Sequence, residues 1–160
     1  AFFCGEAGFD GMLECPRMPA TRYHLVGARS IDPAEVDLLA ARGADVNDMA
    51  EIDEHGIGAI LRRILKEVEA DDALLHVSLD VDFIEPDLAP GVGTTVPGGA
   101  TVREAHLAME MVGRCGRLIS LDLVELNPFL DDRGKSARLM VDLAASDFGR
   151  RIFDRPTQPA

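Results

Sequence analysis

No stretch of the 160 residues comes near the roughly 18 consecutive apolar positions that a membrane-spanning helix needs, and no basic-then-apolar leader opens the chain. The expectation is a soluble protein of the cytoplasm. Positive charge is scarce: sixteen Lys and Arg stand against 28 Asp and Glu, a net charge of −12. An excess of that sign repels phosphate backbones and anionic lipid, so neither nucleic acid nor a membrane surface is an expected partner. Cysteine is sparse as well. Cys4, Cys15 and Cys115 are odd in number and show no CxxC spacing, in a chain too large to depend on disulfide staples, which predicts reduced thiols. Linkers and low-complexity tracts are missing too. What remains, 47% apolar and 28% charged residues, is a composition that folds, and the length suits a single domain over residues 1–160.

The segments that are present alternate in type. Tyr23–Ala28 has strand character and leads to Asp32-Pro33-Ala34-Glu35, a helix start in which Asp32 can cap, Pro33 suits the first helical position and Glu35 can complete a capping box. Gly43 ends that helix. Ile57, Ile60, Leu61, Ile64, Leu65 and Val68 then fall on one helical stripe, and Arg62, Arg63, Lys66, Glu67 and Glu69 opposite them read as a solvated face. Ala73–Leu79 reads as a short buried parallel strand that ends in Asp80 and Asp82. From Phe83 to Ala100, three prolines and four glycines interrupt both periodicities, predicting a long structured loop. Thr101 with Glu104 forms a second capping box and opens a helix to about Arg114, stopped by Gly116. A strand at Leu118–Val124 follows, in which Ser120-Leu121-Asp122-Leu123 echoes Ser78-Leu79-Asp80-Val81. Strand, helix, strand at this spacing predicts a βαβ crossover with both strand ends on one edge of a parallel sheet, where Asp80, Asp82 and Glu125 converge. A last helix, about Lys135 to Gly149, is expected to pack Ala137, Met140, Val141, Ala144 and Phe148 on the sheet, with Pro156–Ala160 a frayed tail.

Side chains two apart on a strand share a face, so Asp80 and Asp82 can direct two carboxylates into one pocket; alternatively both tie down the glycine-rich loop through its amides. The run Ser78-Leu79-Asp80-Val81-Asp82, then Pro86, Ala89-Pro90-Gly91, Gly93-Thr94 and Pro97-Gly98-Gly99, resembles the signature of the arginase and agmatinase family, the ureohydrolases. Glu125 within Asp122–Pro128, followed by Leu130-Asp131, resembles a second family segment, whose Asn127-Pro128 form looks like arginase rather than agmatinase. Gly27-Ala28-Arg29 with Asp32-Pro33 and Glu35 is similar to a third, and the likeness runs from about Tyr23 to Phe153.

The resemblance implies a three-layer α/β fold with a mainly parallel sheet, and hydrolysis of L-arginine to L-ornithine and urea by a hydroxide shared between two Mn²⁺ ions. It also implies a homo-oligomer, a trimer or hexamer. Asp80 would bridge both ions and Asp82 would hold one, carboxylate oxygens suiting Mn²⁺. Thr94 and Glu125 would orient the guanidinium, and Asp32 would contact the substrate α-amino group, with Glu35 acting through water. For Asp32 and Glu35 the capping box is a sufficient explanation by itself; Thr94 also suits an ordinary turn, and Glu125 also suits a cap before Pro128. Ser30 stands where many family members have an acid. His24, His55, His76 and His106 match no ligand histidine of the family, so solvated or core roles are expected.

The family's Asp-x-His-x-Asp segment and its separate ligand histidine have no counterpart here, and two carboxylates cannot fix two ions. The chain also starts at Ala1 without Met, which suits processing of the start or a cut through a longer polypeptide. The expectation is therefore the carboxyl-terminal half of such an enzyme, inactive alone and needing its amino-terminal half as partner. Hydrolysis of agmatine or another guanidino compound, and a non-catalytic assembly module that keeps half the site, are the alternatives.

Overall fold

A computed structural model describes residues 17–150; Cys4, Cys15, Phe153 and the expected tail lie outside them. A 3-10 turn at Ala20–Arg22 leads into β1 (His24–Ala28), α1 (Pro33–Arg42), β2 (Asp45–Asp48), α2 (Met49–His55) and α3 (Ile57–Ala70). Then come β3 (Leu75–Asp80), a 3-10 turn at Val81–Phe83, α4 (Val102–Cys115), β4 (Leu118–Val124) and α5 (Lys135–Asp147). The strands form two parallel pairs, β1 with β2 and β3 with β4, where a single sheet was expected. The crossover β3–α4–β4 is present and sets Ser78 opposite Asp122 and Asp80 opposite Val124.

Two apolar clusters hold these layers together. Leu79, Val81, Ile84, Ala89 and Val92 pack with Ala105 and Met109 of α4 and with Met140 and Leu143 of α5. Ile52 of α2 packs with Ile57, Ile60, Leu61 and Ile64 of α3, and Phe83 touches both clusters. Each of the larger side chains, Val, Leu, Ile or Met, contributes about 1.5–3 kcal/mol on leaving water. Thr101 and Glu104 close the expected capping box, and Gly116 takes the left-handed conformation that ends α4.

Several expectations change. β2 and α2 have no forerunner in the sequence reading, because Asp45-Val46-Asn47-Asp48 is mostly polar and α2 buries only Ile52. Arg63 is not merely solvated: its Nη2 donates to Asp45 Oδ2 at 2.9 Å and to Asn47 Oδ1 at 2.7 Å, tying α3 to β2. Together with the His24 and Asn47 hydrogen bonds, Arg63 holds the Asp45 carboxyl below its ordinary value against the opposing effect of burial. β3 starts at Leu75 and is only partly buried, with His76 and Ser78 exposed on the side away from Leu79. On α5 the buried residues are Ser136, Met140, Leu143, Ser146 and Asp147, while Val141 and Phe148 face solvent. The packing face is rotated from the expected one because α5 lies against α4, where Gly113 lets the Asp147 backbone approach so closely that a Cβ would strike its carbonyl.

Candidate active site

Asp80 is the last residue of β3, at the carboxyl end of the strand pair. Asp82 follows in the 3-10 turn Val81–Phe83, so it reaches the site through that turn and not, as strand alternation predicted, from the same strand. The Asp80 Oδ1 accepts the Asp82 amide at 2.9 Å, which locks the turn. Glu125 enters directly after β4, one residue beyond the partner of Asp80. Burial pushes the Asp80 carboxyl above its ordinary value, the Asp82 amide opposes this, and the Asp82 and Glu125 charges push in the same direction as burial. Asp82 and Glu125 thus lie near enough for their charges to act on Asp80, with Asp80 and Glu125 at the ends of neighbouring strands.

Glu125 has φ of 63°, in the left-handed region that glycine normally occupies. Such strain costs about 1–3 kcal/mol and accumulates at functional sites. Capping does not explain this residue: Asn127 serves that turn, its Oδ1 accepting the Phe129 amide at 3.0 Å.

The loop 84–100 is closed on itself. Ile84 and Ala100 form an isolated parallel bridge, and the Glu85 Oε2 accepts the amides of both Gly98 and Gly99 at 2.8 Å. Gly99 is obligatory there, because a Cβ would lie 2.6 Å from the Ile84 carbonyl carbon. The loop is thus tied by Glu85, not by Asp80 and Asp82. Its Gly91 donates to the buried Ser136 Oγ at 2.8 Å and accepts the Asn127 amide at 2.8 Å, which joins the loop to α5 and to the segment carrying Glu125. Asp131, from the second resembling segment, accepts the amides of Ser136 and Ala137 at the start of α5. Thr94 is exposed in this loop.

Asp32 occupies the N-cap of α1, yet its side chain makes no capping bond. Pro33 has no N–H, and the Glu35 amide bonds the Asp32 carbonyl oxygen at 2.9 Å instead. The expected capping box is absent, and both carboxylates are exposed to solvent. No hydrogen bond or ion pair among the described residues joins Asp32 or Glu35 to the acidic trio. The histidines are engaged elsewhere: His24 with Asp45, His55 with Glu51, His76 with Ser120 and His106 with Ser146.

Sequence reasoning did not single out Glu85 or Ser136, and it placed Asn127 and Arg29 in resembling segments without assigning either a role. Arg29 Nε donates to the Val96 carbonyl at 2.8 Å, and its Nη2 donates to the Asp82 carbonyl. Glu85 was the most accessible of these, as one of only two carboxylates, with Asp87, inside a segment rich in proline and glycine. A cation is the chemistry that would relieve the raised Asp80 carboxyl and its charged neighbours, and Asp80 with Asp82 offers the oxygen donors for it. Among the described residues no group of three or more His, Cys, Asp or Glu side chains is arranged to hold a metal ion, so the donor set present is partial.

Parallel strands linked by a helical crossover, with acids at their carboxyl edge beside a closed loop, define an α/β protein of the kind that binds ligands at its strand ends. Residues 11–149 match the model of the arginase family, and the chain belongs to that family. It is 55% identical over 159 residues to an arginase of Brucella melitensis, covering 98% of this chain and 52% of that protein. An arginase of Agrobacterium fabrum is 53% identical, with 98% of this chain and 49% of the relative covered. The solved arginase of Bacillus caldovelox superposes with a TM-score of 0.83 at 37% identity, covering 87% of this chain and 46% of that one. The chain thus spans about half the length of the curated relatives it matches.

Proposed function

We propose that this chain carries one side of the active site of a manganese-dependent hydrolase that converts L-arginine to L-ornithine and urea, and that it is inactive until the remaining ligands are supplied. The observation that carries this reading is the meeting of Asp80, Asp82 and Glu125 beside the closed loop that bears Thr94. The named relatives are arginases, and the part of their length not spanned here is where the missing metal ligands are expected.

Asp80 and Asp82 would hold the ions through their carboxylate oxygens, which suit Mn²⁺. When bound, two Mn²⁺ ions supply a water acidic enough to act as a nucleophile near neutral pH. Glu125 presents two coplanar oxygens to the planar guanidinium fork, and its strained backbone fixes the direction in which they point. Thr94 would add a hydroxyl acceptor for the same guanidinium. Free of any capping bond, Asp32 is available to accept from the substrate α-amino group, with Glu35 acting through water. The oligomer, a trimer or hexamer, and the single domain over residues 1–160 belong to the same reading.

The test is urea release from L-arginine in Mn²⁺, measured on this chain alone and after it is joined to the amino-terminal half of a relative. No release alone, turnover when joined, and loss of that turnover in Asp80→Asn and Asp82→Asn are expected. A joined, folded protein that releases no urea would overturn the reading, and turnover of agmatine in preference to arginine would replace the substrate.

A further inference from the structure

We propose that Arg29 is a positioning residue that holds the second metal-side aspartate and the glycine-rich loop in one fixed relation, so that Asp82 and Thr94 face the same substrate; this rests on the function proposed above. Arg29 follows the last residue of β1, on the opposite strand pair from β3. Its side chain crosses to the segment after β3. There Nη2 donates to the Asp82 carbonyl, Nη1 to the Phe83 carbonyl at 3.5 Å and Nε to the Val96 carbonyl at 2.8 Å.

Three main-chain oxygens, two from the turn that carries Asp82 and one from a residue two places beyond Thr94, are gathered by a single guanidinium. All are neutral acceptors, and among the described residues no carboxylate pairs with this cation. A rigid planar group with five N–H donors can serve separated acceptors at once, whereas an ammonium is a compact point donor on a flexible stem. Arg29 is therefore suited to set geometry and not only to supply charge.

A second feature of the same contact agrees. Gly27, at φ of 83°, lies so close to the Phe83 ring that any side chain would overlap it. The end of β1 is pressed against the Asp82-Phe83 turn at Gly27 and laced to it at Arg29. The Glu85 carboxylate then holds the other limb of the loop by its amides at Gly98 and Gly99. Without Arg29, the Glu85 clasp and the Gly91 contacts keep the loop closed, but among the described residues no other side chain ties Val96 to the Asp82 turn.

The experiment compares Arg29→Lys and Arg29→Met with the unaltered chain by amide hydrogen exchange, and by urea kinetics in the protein joined to the amino-terminal half. Peptides spanning residues 92–97 are expected to exchange about tenfold faster in both variants, with α3 unchanged. In the joined protein kcat is expected to fall about 10²-fold for Arg29→Met, the scale of a small misplacement at a reacting centre, with KM within about threefold and Arg29→Lys recovering only part of the loss. Unchanged exchange in the loop, exchange that rises equally in α3 and β3, or full activity in Arg29→Lys would overturn the proposal. If Arg29→Met does not fold, the lysine variant decides. Absence of urea release from the unaltered joined protein would defeat the arginase reading and leave the exchange result standing for the tie itself.

Discussion

Glu125 and Asp147 each hold a carboxylate at a cost, and the two costs differ in kind. At Glu125 the cost is backbone strain, so Glu125→Gly should raise the thermal stability of the chain by up to about 1 kcal/mol, the strain relieved being partly offset by the flexibility glycine adds to the unfolded state. The same substitution should abolish urea release in the joined protein. A thermal midpoint lower than that of the unaltered chain would show that the strain is not there. At Asp147 the cost is burial: the residue is 4% exposed and neither carboxylate oxygen has a hydrogen-bond partner. Burial raises its carboxyl above the ordinary value of 3.8, so the folded chain holds this proton more tightly than the unfolded one. The stability linked to it is fully present below that value and is lost as pH rises through the folded value. Asp147→Asn should therefore stabilise the chain by about 1–2 kcal/mol at pH 7, with the gain vanishing below about pH 4. Thermal melts at the two pH values check this, and an equal effect at both would refute it.

Among the elements, α4 depends most on local chemistry, because both reciprocal bonds of its capping box form: the Thr101 amide donates to Glu104 Oε2 at 2.8 Å and the Glu104 amide to Thr101 Oγ1 at 3.2 Å. Thr101→Ala should cost about 1 kcal/mol and lower the thermal midpoint by a few degrees. At α1 the same signature in the sequence has a different outcome: the Glu35 amide bonds the Asp32 carbonyl oxygen, and the Asp32 side chain makes no capping bond. That contrast shows what was legible. The stripe on α3, the crossover β3–α4–β4, and the meeting of Asp80, Asp82 and Glu125 follow from periodicity and spacing, both local properties. β2, the rotation of α5 and the ties made by Arg29, Glu85 and Ser136 depend on which distant backbone lies alongside, and no local pattern encodes that. The strand pair β1–β2 was half visible for the same reason: Tyr23–Ala28 has the largely apolar character of a strand and Asp45–Asp48 does not.

For the molecule as a whole, the apolar surface left uncovered is informative. Leu74 is 66% exposed, Ile119 65% and Phe129 96%, and α1 buries none of its residues. Among the described residues each sheet has only two strands, and parallel strands are ordinarily covered on both faces. The chain alone should therefore self-associate at micromolar concentrations, and joining it to the amino-terminal half should give a discrete assembly. Sedimentation velocity over a concentration series measures both, and a monomer throughout the series for the chain alone would contradict the expectation. No helix among the described residues is long and apolar enough to cross a membrane, so this exposed surface is not a helical span.

The clasp of Glu85 on Gly98 and Gly99 has a consequence for timing. A loop held shut by its own acid and amides needs neither ion nor substrate to take its shape, so the entropy of ordering it is lost when this chain folds and not when the site is completed. Two halves made separately would then meet as preformed surfaces. The lag before activity after mixing would shorten in proportion to protein concentration, as for an encounter between rigid partners, and would not settle at the fixed rate of a slow refolding step.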